Sequence, residues 1–220
     1  MEHNEDVSGA YANGTALALA PPELDDELRR IMEHINLEVP GEPSRTILVT
    51  GVQRGAGVSR IACWLSASLA RASVGDVLYL NASPASFGHA NGKRKAAPAG
   101  LLDLVREPDR CKAIYQKTAI ANLFAMRAWT NPNVDMLHVA DQHVAQALAM
   151  FKTRFVYIVI DAPAPLASPL TITLARHSGG TLVVVEANKT DCELVAETGS
   201  ALSRCGVRIV GAVLNKGCLK

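Results

Sequence analysis

The sequence predicts an open, doubly wound α/β domain, with a mostly parallel sheet flanked by helices. Three observations carry this. Short, nearly continuous apolar runs at 46–50, 77–80, 155–160, 181–186 and 208–214 alternate with helical stretches, as parallel strands buried on both faces do. A glycine-rich turn, from Gly51 to Gly57, joins the first run to a long stretch rich in Ala, Leu and Ser. Aromatic residues make up only 5% of the chain while 16 residues are glycine, which favours close packing of helix on sheet over an aromatic sandwich core.

Composition bounds the function classes. The 22 Lys and Arg against 21 Asp and Glu leave a net charge of +1. That excludes a nucleic-acid binder working by bulk positive charge and an acidic disordered chain alike. With 49% hydrophobic and 20% charged residues in 220, the chain can bury an ordinary core as one domain plus tails. The cysteines, Cys63, Cys111, Cys192, Cys205 and Cys218, make no CxxC pair and no zinc-like spacing. An odd, scattered set fits a reducing compartment. No uncharged apolar run approaches the roughly 18 to 20 residues of a membrane span, and the first residues are acidic and polar where a secretory signal is basic and then apolar. A cytoplasmic location is the expectation.

Residues 1–22 mix Gly, Asn, Ser, Ala and acids without period and end at Pro21-Pro22, predicting a flexible tail. Over 23–37, Leu24, Leu28, Ile31 and Ile35 fall at helical spacing, with Glu23, Asp25, Asp26 and Glu27 early and Arg29 and Arg30 following. This amphipathic helix, with its linker to residue 43, either packs on the domain behind it or docks another subunit or partner. The α/β domain occupies 44–220. Its first strand, Thr46-Ile47-Leu48-Val49-Thr50, enters the glycine turn, and a helix over 61–72 follows. The basic run Lys93-Arg94-Lys95 lies in a loop, where a solvated surface role and contact with a phosphate or acidic partner are both open.

Open α/β sheets bind ligands beyond the carboxyl ends of their strands. Gly55 and Gly57 let the backbone approach an anion there, and the next helix aims unsatisfied N–H groups at it. A tight turn with no ligand is the plainer reading. A second reading is the dinucleotide loop of short-chain NAD(P)-dependent dehydrogenases, which Thr50-Gly51-x-x-x-Gly55-x-Gly57 resembles. That chemistry needs a Tyr with a Lys four positions on. The residues four on from Tyr11, Tyr79, Tyr115 and Tyr157 are Thr15, Ser83, Ala119 and Asp161, so no such pair exists.

The later strands favour a third reading. Ile47-Leu48-Val49-Thr50 followed by Gly55-x-Gly57-x-Ser59 resembles the Walker A region of the bacterial tyrosine kinases that accompany polysaccharide chain-length regulators. Gly100-Leu101-Leu102-Asp103-Leu104-Val105 is similar to that family's Gly-Leu-Ser-Asp segment, and Asn131-Pro132-Asn133-Val134-Asp135-Met136-Leu137 to its Asn-Pro-x-Glu-Leu-Leu. Ile158-Val159-Ile160-Asp161-Ala162-Pro163 resembles its Walker B strand. Val183-Val184-Val185 through Lys189-Thr190, and Gly211-Ala212-Val213-Leu214-Asn215, resemble its last two strands. The likeness spans about 45–216 and implies a P-loop NTPase-like fold of the deviant Walker A type.

The departures concern charge. Val58 stands where the family has the lysine that reaches the β and γ phosphates. One lost charge-assisted contact is worth roughly 1.5–3 kcal/mol, or about one to two orders of magnitude in nucleotide affinity, and more in the transition state. The family's Asp-x-Asp strand end reads Asn81-Ala82-Ser83, which cannot supply the carboxylates that hold magnesium or take a proton. Leu170 stands near a further expected acid. No tyrosine follows Tyr157, so the usual phosphorylated tail cluster is missing. Glu27-x-x-Arg30 keeps part of the family's Glu-x-x-Arg-x-x-Arg contact helix, but Glu33 replaces its last arginine.

What the resemblance retains gives the site residues. Arg54, Gly55, Gly57, Ser59, Arg60 and Asn215 are expected at a nucleotide, with Asn215 facing the adenine, and Ser59 and Asp161 at its metal. Arg54 and Arg60 either partly replace the missing cation or are solvated charges at a helix start; Asp161 either keeps its Walker B role or caps a turn. No catalytic residue is assigned. The expectation is a degenerate, pseudo-kinase accessory protein of bacterial exopolysaccharide or capsule synthesis. Weak or absent ATP or ADP with Mg2+ is the expected cofactor. The resemblance implies as partner the cytoplasmic segment of an inner-membrane chain-length regulator, through which the chain would sit at the membrane, together with a homo-oligomer and no nucleic acid. The alternatives are an active ATP-dependent tyrosine kinase or ATPase in which Arg54 or Arg60 replaces the lysine, and the dehydrogenase.

Overall fold

The structure, a computed structural model, describes residues 19–41, 43–82, 101, 114–128 and 141–217. The expectations for the first 18 residues, for Lys93-Arg94-Lys95, for Ser83, for 131–137, for most of 100–105 and for 218–220 lie outside the described residues. Seven strands form one sheet: β1 (Arg45–Gly51), β2 (Val77–Asn81), β3 (Gln116–Lys117), β4 (Leu123–Arg127), β5 (Tyr157–Asp161), β6 (Gly180–Glu186) and β7 (Ile209–Asn215). Their spatial order is β3-β4-β2-β5-β1-β6-β7. All pairings are parallel except β3 with β4. The helices are α1 (Asp25–Glu38), α2 (Val58–Ala72), α3 (Asp141–Lys152), α4 (Pro169–Arg176) and α5 (Cys192–Arg204).

The mostly parallel doubly wound sheet agrees with the sequence prediction, and the five expected strands are present. Two further strands, β3 and β4, fall where no strand was expected. Leu123-Phe124-Ala125-Met126 is a short run that becomes a strand by pairing with β2 from Val77↔Leu123 to Asn81↔Arg127. The strand expected from residue 155 begins at Tyr157, because Phe155 closes the turn after α3 with its N–H on the Phe151 carbonyl at 3.0 Å. The helix expected from 61 begins at Val58, directly after Gly57.

Strand order bears on the rival reading. In the dinucleotide-binding arrangement the first two strands are neighbours. Here β5 lies between β1 and β2, so the dehydrogenase alternative is corrected by topology as well as by its missing Tyr and Lys.

Side chains alternate across the sheet because successive residues of a strand point to opposite faces. Ile47, Val49, Tyr79, Val159, Leu182 and Val184 pack with Ile61, Ala62, Leu65 and Leu69 of α2. Leu48, Leu78, Leu80, Ile158, Ile160 and Val183 form the other face, covered by Val144, Leu148 and Phe151 of α3, Leu174 of α4 and Leu202 of α5. Each buried aliphatic side chain contributes about 1.5–3 kcal/mol relative to exposure. The N-terminal side of α5 is closed by Asp191, whose carboxylate accepts the Glu193 N–H at 2.9 Å, a cap worth about 1 kcal/mol.

The first helix packs on its own domain, the first of the two readings open for it. Leu28 and Ile35 are buried, His34 Nε2 meets the Val210 carbonyl at 2.5 Å, and Tyr157 donates to Asn36 Oδ1 at 2.6 Å. Arg208 pairs with Glu38 at 2.9 Å. No helix among the described residues is long and apolar enough to cross a membrane.

Candidate functional site: the glycine loop and the strand ends

The loop 52–57 leaves the carboxyl end of β1, which lies between β5 and β6, and delivers the chain into α2. Gly55 and Gly57 have φ of 92° and 93°, a region that L side chains reach only at a cost of roughly 1–2 kcal/mol. A Cβ at Gly55 would meet nothing within 4 Å, so backbone conformation alone requires glycine there. At Gly57 a methyl would also collide with the Asn215 amide nitrogen. The N-cap position of α2 is Gly57, with no side-chain cap. The first N–H groups of the helix are thus left for a ligand or solvent.

Beneath the loop the strand ends are tied together. The Ala162 N–H donates to the Val49 carbonyl at 3.0 Å, Ala82 to Asp161 at 2.8 Å and Ala128 to Asn81 at 2.8 Å. Thr50 Oγ1 and Thr171 Oγ1 both donate to the Pro163 carbonyl, at 2.7 and 3.0 Å. The segment after β5 is thereby fixed against β1 and α4. Leu170, the position of an expected acid, is 5% exposed in the core.

Ser59 and Asp161 are brought together: the serine side chain hydrogen-bonds the carboxylate. Asp161 has a further partner that the sequence reading did not foresee. Tyr79, fully buried on β2, donates its phenol to Asp161 Oδ2 at 2.8 Å. Burial pushes the Asp161 carboxyl above its ordinary range, against the lowering effect of the Ser59 and Tyr79 hydrogen bonds. Burial, and then the charge of Asp161, push the Tyr79 phenol well above its ordinary value. Cys63, which hydrogen-bonds Tyr79, is pushed up to about 12, first by burial. Ser59, Cys63, Tyr79 and Asp161 form a polar network inside an otherwise apolar layer.

Asn81 lies opposite Asp161 in the β2–β5 register and is buried. With an amide at that position, the paired ends of β2 and β5 present one carboxylate between them. Among the described residues no three His, Cys, Asp or Glu side chains converge as a metal site.

The expected arginines go elsewhere than into this network. Arg60 lies over the ring of Trp64, one turn on in α2, at 5.8 Å, within the range of a cation–π contact. Arg54 is exposed in the loop. Asn215 does reach the loop: its Nδ2 donates to the Ala56 carbonyl at 2.8 Å. Beside it stands a cation that sequence reasoning missed, Lys216. Its Nζ donates to the Gly55 carbonyl and to Glu186 Oε1, each at 2.9 Å. Glu186, at the end of β6, is held below the ordinary carboxylate range, first by that hydrogen bond. A tyrosine two residues before Asn81, on the same strand face, was the one sequence signal for Tyr79. Lys216 gave none, since its role depends on where β7 ends.

No family model matches the chain. The chain is 20% identical over 190 residues to EpsB of Ralstonia nicotianae, named as a candidate tyrosine-protein kinase; this covers 86% of the chain but only 25% of that protein. The chain thus spans about a quarter of its curated relative's length. Among solved structures, the kinase domain of the Escherichia coli tyrosine kinase ETK superposes with a TM-score of 0.68 at 18% identity, covering 89% of this chain and 78% of that one. The VpsO kinase domain gives 0.69 at 21%, covering 89% and 99%. The septum site-determining protein MinD of Pyrococcus horikoshii, solved with Mg-ADP, gives 0.60 at 17%, covering 78% and 70%. The fold is that of P-loop NTPase-like α/β sheets. Within that class, its fold is that of the bacterial tyrosine kinase domains.

Proposed function

We propose that the chain is a catalytically impaired, tyrosine-kinase-like P-loop protein that keeps the nucleotide-shaped loop and has lost phosphoryl transfer. The observation that carries this reading is the residue at the loop exit. Val58 opens α2 directly after Gly57, where an apolar side chain replaces the phosphate-binding lysine. The second strand end supports it, since Asn81 supplies an amide where a carboxylate would hold a metal or accept a proton. Ser59 and Asp161 are the surviving parts of a magnesium site, Asn215 of a base site, and Arg54, Gly55, Gly57 and Arg60 surround the phosphate position. Any nucleotide, ATP or ADP with Mg2+ by resemblance, serves structure more than turnover.

The biological setting in this reading is bacterial exopolysaccharide synthesis, in the cytoplasm, with the chain docked on the cytoplasmic segment of an inner-membrane chain-length regulator. Likeness to EpsB and to the ETK and VpsO kinase domains supports that setting. Phosphotransfer from ATP with magnesium, and binding of ATP, ADP and NADPH, are measured on the native chain, on Val58→Lys and on Val58→Lys with Asn81→Asp. The expected result is no turnover by the native chain and tighter ATP binding, by about tenfold or more, with lysine at 58. Turnover by the native chain sinks the reading, and failure to bind a regulator's cytoplasmic segment removes the docking role.

A further inference from the structure

We propose that Lys216 is the phosphate-binding cation of this loop, supplying from the end of β7 the charge that position 58 no longer carries. The inference rests on the nucleotide-binding part of the reading above. Three observations lead to it, and none depends on the departures at 58 or 81.

The first is placement. Lys216 Nζ is 2.9 Å from the Gly55 carbonyl, so its ammonium already lies against the backbone of the glycine loop. Its neighbour Asn215 holds the next carbonyl, that of Ala56, at 2.8 Å. Two consecutive residues therefore grip two consecutive loop carbonyls. Lys216 adopts a left-handed φ of 60° to do so, a conformation that a residue with a Cβ holds only when its surroundings impose it.

The second is that the lysine can be released. It also contacts Glu186 Oε1 at 2.9 Å, and the Glu186 side chain is only 8% exposed. A buried carboxylate stripped of its partner is strongly unfavourable. Glu186, however, has a second cation: Lys189 Nζ lies 3.4 Å from Oε2. If Lys216 turns toward an anion, Lys189 still pairs the carboxylate. The Lys216 side chain is 45% exposed, and its flexible four-carbon stem carries a rotatable point charge with three donors. Two of those donors have partners among the described residues.

The third is the disposition of the two arginines: Arg54 is exposed in the loop, with no contact among the described residues that directs it to the glycines. Arg60 is engaged with Trp64, and moving it to a phosphate would forfeit that stacking. Lys216 gives up no ring contact, and the carboxylate it leaves keeps Lys189.

The test is a titration with fluorescent N-methylanthraniloyl ADP, with inorganic pyrophosphate as competitor, on the full chain carrying Lys216→Met, Lys216→Arg or Glu186→Gln. Far-UV circular dichroism and urea midpoints establish that each variant is folded. Lys216→Met keeps the stem and loses the charge, and it should weaken ADP about tenfold or more and abolish displacement by pyrophosphate. Lys216→Arg should stay within about threefold of native. Glu186→Gln frees the lysine from its carboxylate, so ADP should bind as tightly as in the native chain or more tightly. A lysine that only braces the loop predicts the opposite for that variant, with Glu186→Gln weakening ADP as Lys216→Met does, and that result overturns the proposal. So does an unchanged affinity in Lys216→Met, and so does a native chain that binds no ADP. The last outcome leaves the loss of phosphoryl transfer standing, while turnover by the native chain removes that reading and leaves the lysine comparison intact.

Discussion

Tyr79 on β2 donates its phenolic hydrogen to Asp161 Oδ2 on the neighbouring strand β5, at 2.8 Å, and both side chains are essentially inaccessible to solvent. The phenol and the Ser59 hydroxyl stabilise a carboxylate that burial alone disfavours. Tyr79→Phe removes one of these donors while the charge stays buried. A loss of about 1–3 kcal/mol is expected, read as a lower urea midpoint with an unchanged denaturant slope.

The same pair sets a pH dependence. The folded pKa of Asp161 is raised above the ordinary value of 3.8, so the folded chain binds this proton more tightly than the unfolded one. Its contribution to stability is therefore full below 3.8 and is lost as pH rises through the raised folded value. Asp161→Asn has no such loss and still accepts from Tyr79. It should be more stable than the native chain at pH 8, with the difference shrinking toward pH 4, in denaturation curves collected across that range.

Gly57 is constrained twice, by φ and by Asn215. Gly57→Ala should cost about 2–5 kcal/mol, the sum of the left-handed penalty and the collision. Adding Asn215→Ala should restore part of that loss, since it clears the space but leaves φ at 93°. A double-mutant cycle measures the coupling.

At the other edge, the Arg154 guanidinium lies 4.9, 5.3 and 5.4 Å from the rings of Tyr115, Phe124 and Phe155, and 3.5 Å from Asp76. Arg154→Lys keeps the charge and gives up planar stacking. Because the side chain is half exposed, the expected loss is modest, about 0.5–1 kcal/mol. Thermal denaturation of Arg154→Lys beside Arg154→Met separates the two parts.

Cys63 is buried, with its thiol pushed up to about 12, whereas Cys192 and Cys205 are exposed. Maleimide labelling of the folded chain at pH 7, mapped by mass spectrometry, should modify Cys192 and Cys205 and spare Cys63 until denaturant is added. Labelling of Cys63 at the rate of the other two would show that the network under the loop opens readily.

The five apolar runs, the glycine turn and the amphipathic first helix were legible because periodicity and backbone preference are local; β7, at the sheet edge, is the one of the five that is not buried on both faces. β4 was not, since a run as short as 123–126 becomes a strand only by pairing with β2. The same division holds in the site. Gly55 and Gly57 needed only their own conformational freedom to be noticed, and Ser59 and Asp161 came through the resemblance to the Walker A and Walker B segments. The arginines flanking the loop were legible as charges, but a charge in sequence has no direction, and Arg60 turns to Trp64.

By itself, the sequence determined the doubly wound class and the glycine loop, because apolar runs and backbone preference are local; that Val58, Asn81 and Ser83 depart from charged residues is what the family resemblance implies. Only the tertiary structure decided that β5 separates β1 from β2, that Tyr79 satisfies Asp161, and that Lys216 lies on Gly55. Those three relationships join residues 82 positions apart in one case and 161 in another. Contacts at such separations are set by how strands line up across the sheet, which no local pattern encodes.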